Sequence, residues 1–135
     1  MINRCDIAVI GAGAGGVFTS IFAATANHSV IAFDGAKRLG AKILIAGGGR
    51  CNVTHDVVRQ IDYASGPRSS SNSVKKVLRS FTVEDTIDCF RGRGGELKRE
   101  DTGKLFSTTD RARTVLNALL EACYEAGAEL RTDHR

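Results

Sequence analysis

Asp6-Ile-Ala-Val-Ile-Gly-Ala-Gly-Ala-Gly-Gly16 decides the fold class. A short apolar run of β character feeds directly into G-x-G-x-x-G, with glycines at Gly11, Gly13 and Gly16. In a dinucleotide-binding turn the first glycine permits a tight exit from the strand. The second lets backbone approach a pyrophosphate, and the third lets the following helix pack closely on the strand. The helix then points its unpaired N–H groups and positive dipole end at the phosphates. Alone, three spaced glycines could equally form a structural turn. Here a helix-compatible stretch, Gly15 to Asn27, follows, and a second apolar run, Val30 to Phe33, ends in Asp34. A carboxylate there can accept hydrogen bonds from the adenosine ribose. The order strand, helix, strand, acid predicts an α/β, Rossmann-like dinucleotide-binding domain, with Gly11, Gly13, Ala14 and Gly16 along the pyrophosphate and Asp34 at the ribose.

The 135 residues, 42% hydrophobic and 25% charged, suffice for one domain with a buried core. The net charge of +4 lies outside the first 35 positions, which carry Arg4, Asp6 and Asp34. Lys37, Arg38, Lys42 and Arg50 flank the expected phosphate site, where a cofactor role fits. Arg68, Lys75, Lys76 and Arg79 read as a solvated face, so no nucleic-acid partner is expected. Cys5, Cys51, Cys89 and Cys123 lack metal-ligand or C-x-x-C spacing, so no metal site is expected; free thiols suit a reducing cytoplasm. Residues 7–27 are uncharged and Ala24-Thr-Ala26 resembles a cleavage site, yet Asp6 and four glycines between 11 and 16 argue against a signal or membrane helix.

The most informative stretch is Gly35 to His55, G-A-K-R-L-G-A-K-I-L-I-A-G-G-G-R-C-N-V-T-H. Gly47, Gly48 and Gly49 give a backbone able to lie against a flat ligand or a phosphate, with Arg50 and Asn52 immediately after. A flexible hairpin with an incidental arginine is the alternative. This stretch resembles the BaiN-like bacterial NAD(P)/FAD-dependent flavoproteins, also described as aminoacetone-oxidase-type FAD-binding enzymes. Their block reads close to G-R-K-L-L-I-S-G-G-G-R-C-N-x-T-N, and Gly40, Lys42, Gly47 to Asn52 and Thr54 stand at its places. Ala41, Ala46 and His55 depart from it, and Asp34 replaces a usual glutamate. A second block, Gly103-Lys-Leu-Phe106, is similar to a G-R-V-F-P segment of the family, with Ser107 in place of proline.

The resemblance implies FAD as cofactor, NAD(P)H as a possible electron donor, and Lys42, Arg50, Cys51 and Asn52 along the cofactor loop. It implies an oxidoreductase whose flavin performs the redox chemistry, and it names no catalytic side chain. Family members are much longer and complete the flavin site with later chain. Residues 1–135 are therefore expected to be a partial FAD-binding domain with an insertion at about 35–110 that carries the G-G-G-R-C-N loop. A truncated, non-catalytic nucleotide-binding fragment and an NAD-dependent dehydrogenase domain are the alternative functions.

Helical spacing is expected for Val17, Phe18, Ile21 and Phe22, for Val74, Val77, Leu78 and Phe81, and for Val83, Ile87 and Phe90 behind a Thr82–Asp85 capping box. Ala112, Val115, Leu119, Cys123 and Ala126 mark a longer helix stopped by Gly127. Arg59 to Asn72, polar and containing Pro67, is expected to be a mobile loop, and Ala128 to Thr132 a third parallel strand beside the second.

Overall fold

The computed structural model describes residues 4–63, 66 and 71–134. Strand β1 (Ile7–Ile10) leads through the glycine turn into α1 (Ala14–Thr25), which returns to β2 (Val30–Phe33). The chain then forms α2 (Ala41–Gly49), β3 (Thr54–His55), a 3-10 turn (Gln60–Asp62), α3 (Ser71–Ser80) and α4 (Val83–Phe90). Strands β4 (Leu97–Arg99) and β5 (Lys104–Ser107), helix α5 (Ala112–Glu125) and strand β6 (Glu129–Arg131) complete it. Within the segment expected as a loop, Gln60–Asp62 are a 3-10 turn and Ser71 and Asn72 open α3. Ala64, Ser65 and residues 67–70, Pro67 among them, lie outside the described residues.

The main sheet has the order β1-β2-β6, all parallel, with Ile7 opposite Val30 and Ile31 opposite Glu129. The third strand thus lies beside the second, as the Rossmann reading requires. Between β2 and α5 the chain builds a second, antiparallel sheet of order β3-β5-β4 that sequence periodicity did not reveal. Strands of two, three and four residues are too short to produce a readable alternation. This sheet joins the two family-like blocks: the Val53 N–H donates to the Leu105 carbonyl at 3.0 Å and the Asp56 N–H to that of Gly103 at 2.8 Å.

The core lies between the main sheet and helices α1 and α5, where Val17, Ala32, Leu116, Leu119 and Cys123 are buried. Ala112, Val115 and Leu119 face inward as their spacing predicts, and the Thr82–Asp85 capping box is present. Helix α1 is rotated relative to the expected stripe. Its buried residues are Val17, Ser20 and Ala24, whereas Phe22 remains 47% exposed. The rotation is affordable because the Ser20 hydroxyl donates to the Gly16 carbonyl at 2.8 Å and buries no unpaired polar atom. Phe18 and Phe22 turn instead toward Phe81, at centroid separations of 6.1 and 5.4 Å. Val77 of α3, one of the residues at helical spacing, is 65% exposed.

Candidate functional site

Gly16 fixes the geometry of the turn. A Cβ placed there would lie 1.7 Å from the Gly11 carbonyl oxygen, so only glycine lets α1 start this close to the end of β1. Gly13, the residue capping α1, has the opposite environment: a Cβ on it would meet nothing within 4 Å. Space above Gly13 is therefore kept free of side chain where a ligand's phosphates would approach. The first turn of α1 carries neither an acidic side chain nor a side-chain cap, so its positive end faces outward.

Asp34 closes the other side. Its carboxylate accepts from the Ala12 N–H at 2.7 Å and from the Ala36 N–H at 2.8 Å. These two donors, Ala36 more than Ala12, hold its carboxyl below the ordinary value of 3.8. The acid therefore ties the glycine turn to the segment after β2. Two carboxylate oxygens offer about four acceptor positions, so capacity for ribose hydroxyls remains.

Around this frame runs a groove of about 360 Å³ lined by Gly11, Gly13, Asp34, Arg38, Gly40 and Lys42, among others. It adjoins a cavity of about 340 Å³ whose wall includes Ala14, Phe18, Cys51, Asn52, Phe90 and Leu119. Gly13, Lys42 and Ile43 belong to both. The first carries Asp34, Arg38 and Lys42; the second is lined mainly by apolar side chains, with Lys42 its only charged residue. Phe90 and Leu119 carry no sequence signal for this role, since their helical spacing reads as core and they lie far along the chain from the glycine turn.

The glycine triplet is neither a plain loop nor a hairpin. Helix α2 runs regularly to Ile45 and is then broken. Ala46 is extended, and Gly47 and Gly48 take φ of 57° and 67°, which glycine tolerates readily. At Gly47 a Cβ would also stand 2.8 Å from the Asn52 amide nitrogen and 3.2 Å from the Phe106 ring. The break turns Cys51, itself at φ 61°, inward against the cavity, and burial pushes its thiol pKa up.

Arg50 lines neither the groove nor the cavity. Its guanidinium donates to Glu100 at 2.5 Å, lies 3.3 Å from Asp110, and sits 4.0 Å above the Phe106 ring. Asp110 is also bonded to Lys98, which lowers its carboxyl pKa more than Arg50 does. Arg50 thus anchors the broken helix to the second sheet, while Gly11, Gly13, Ala14, Asp34, Lys42, Cys51 and Asn52 are brought to the groove and cavity. Gly16 acts from beneath. Among the described residues no cluster of side chains has the makings of a metal site, and no helix is long and apolar enough to cross a membrane.

Comparisons with known proteins agree with this architecture. The chain is 35% identical over 130 residues to the ribosomal RNA dihydrouridine synthase of Escherichia coli, covering 96% of this chain and 32% of that protein. It is 34% identical over 122 residues to the Haemophilus influenzae protein of the same name, covering 90% of this chain and 29% of that one. It is 31% identical over 121 residues to a 3-dehydro-bile acid Δ4,6-reductase of Clostridium scindens, covering 87% and 28% respectively. The chain therefore spans about a third of the length of these relatives. Among solved structures, the 3-ketosteroid-Δ4-(5α)-dehydrogenase of Rhodococcus jostii RHA1 superposes with a TM-score of 0.64 at 17% identity, covering 97% of this chain and 38% of that one. THI4 of Thermovibrio ammonificans superposes with a TM-score of 0.56 at 16% identity, covering 95% and 38%. The family model described as the HI0933-like protein Rossmann domain matches residues 5–135, and the chain belongs to that family.

Proposed function

We propose that this chain is the FAD-holding part of a flavin-dependent oxidoreductase that transfers two hydrogens across a C=C bond conjugated to a carbonyl. The observation that carries the reading is a groove bearing Asp34, Arg38 and Lys42 that continues into an apolar cavity, with Gly13, Lys42 and Ile43 common to both. A flavin dinucleotide has the same order, a charged adenosine diphosphate followed by a flat, largely apolar ring system. In this reading the α1 N-terminus and Lys42 meet the pyrophosphate, and Asp34 accepts from the ribose. Cys51 and Asn52 border the cavity, and Arg50 positions them. Bound flavin supplies the two-electron chemistry; the protein supplies placement and electrostatics.

The reaction class draws on the relatives. Forming dihydrouridine adds two hydrogens to a uracil C=C beside a carbonyl, and the bile-acid enzyme is named as a reductase of a ketone's conjugated double bonds. The greater identity to the two ribosomal RNA enzymes, 35% and 34% against 31%, favours a uracil in RNA as the substrate. NAD(P)H is the electron donor in this proposal, and the reducing cytoplasm its compartment.

Residues 1–135 alone are expected to hold FAD weakly and not to oxidise NADPH. Strand β1 is an edge of the main sheet and Ile10 is 85% exposed, a surface suited to cover by further chain. The test compares this segment with the complete protein that carries it. Flavin fluorescence, NADPH oxidation and dihydrouridine in a ribosomal RNA fragment are followed in both. A complete protein that retains FAD and forms dihydrouridine supports the reading; one that binds no flavin refutes it.

A further inference from the structure

Helix α3, Ser71–Ser80, reads S-N-S-V-K-K-V-L-R-S and contains Lys75, Lys76 and Arg79 but no acid. Asn72, Lys75, Lys76, Arg79 and Ser80 follow the i, i+3, i+4, i+7, i+8 spacing of one helix face and together line a shallow groove of about 400 Å³. Solvated helix faces ordinarily interleave acids with bases, and neighbouring elements often provide the missing counter-charge. Neither occurs here. Asp62 of the 3-10 turn packed against α3 is held by Arg59 at 3.0 Å. On α4, the next helix, Asp88 and Glu84 pair with Arg91 at 2.7 and 3.5 Å, and Asp85 caps Thr82. Every acid of these two elements is already engaged, and among the described residues Lys75, Lys76 and Arg79 have no anionic partner.

We propose that this face of α3 binds the phosphate backbone of the RNA substrate. The inference rests on the reading of a uracil in RNA as the substrate and adds where that RNA is held. Lys75 to Arg79 span about 6 Å along the helix axis, so their three cations meet one short stretch of a strand carrying one negative charge per nucleotide. A membrane surface is the other polyanion such a helix could meet. The apolar side of α3 is less suited to it: Val74 and Leu78 are half-buried, and of the helix's three apolar residues only Val77 is exposed. Contacts of this kind position the strand without reading bases.

The complete, FAD-loaded protein is titrated with a fluorescein-labelled ribosomal RNA fragment over a series of KCl concentrations. The triple variant Lys75→Ala/Lys76→Ala/Arg79→Ala is compared with Arg4→Ala/Lys104→Ala/Arg113→Ala, which removes equal charge from exposed positions elsewhere. The α3 variant is expected to weaken binding and to reduce the slope of log K against log salt by about 2, three contacts at about 0.7 each. Lys75→Arg/Lys76→Arg keeps the wild-type slope. An unchanged slope in the α3 variant, or an equal loss in the control, overturns the proposal. So does a selective loss of binding to phosphatidylserine vesicles, which assigns the face to a membrane. Flavin content measured in the same samples separates the two readings: retained FAD with an unchanged slope removes the α3 site and leaves the cofactor groove standing.

Discussion

The two glycine-rich segments solve different problems. In the first, Gly11 to Gly16, the glycine at position 16 answers a contact five residues away, and the motif is complete within one strand–turn–helix unit. In the second, Gly47 to Gly49, the backbone is held by partners more than 50 residues on: Glu100, Phe106 and Asp110, all gathered by Arg50. Local sterics specify the first turn. The second is specified only when another sheet is in place. Sequence motifs of similar appearance can therefore differ in what determines their shape, and substitutions should separate them.

The largest effect is expected from paired substitutions within the first turn. Gly16→Ala forces a methyl to 1.7 Å from the Gly11 oxygen and should destabilise the fold by about 3 kcal/mol or more, measured by denaturant unfolding. Gly13→Ala has open space, so it should leave stability near wild type while weakening FAD binding in the complete protein. Equal stability losses at the two positions would contradict the division between a packing glycine and a ligand-facing one.

Asp34→Ala should follow, with a loss of about 1.5 to 3 kcal/mol in FAD affinity by calorimetry, the range for hydrogen bonds to a charged group. The same carboxylate ties Ala12 to Ala36, so Asp34→Asn should retain part of the fold stability. Because the folded-state pKa is depressed, Asp34 contributes stability in full above its ordinary value of 3.8. That contribution is lost as pH falls through the lower folded value. Wild type should therefore lose more stability on acidification than Asp34→Asn. Unchanged FAD affinity in Asp34→Ala would remove the acid from the site.

In the second segment, Arg50→Ala should lower the melting temperature and flavin retention together, since the arginine acts by holding Cys51 and Asn52 in place. Arg50→Lys should recover little, because a single ammonium cannot reproduce the guanidinium fork and its stacking over Phe106. A variant with normal flavin retention would show that the triplet keeps its shape without the second sheet. The smallest effect concerns the thiols. Cys51 and Cys123 are buried with pKa values raised by desolvation, so both should resist alkylation in the folded chain. All four cysteines should react in denaturant without reductant, and fewer than four adducts by intact mass would contradict free thiols.

The sequence by itself determined the parallel β1-β2-β6 order, the glycine turn and the acid at the end of β2, because each is written in adjacent residues with a fixed period or spacing. It also determined the helix from Ala112 and the Thr82–Asp85 cap for the same reason. Only the tertiary structure decided that Ser20 rather than Phe22 faces the core, since that depends on how closely Gly16 lets α1 approach. Only the tertiary structure paired Val53 with Leu105, giving Arg50 its counter-charges and giving the cavity its far wall from Phe90 and Leu119. Those partners lie some 38 to 67 residues from Asn52, and no local pattern records a contact at such distances. The unpaired charge on α3 has the same origin: the cations are visible in the sequence, but the commitment of every neighbouring acid to another base or cap is a property of the folded arrangement.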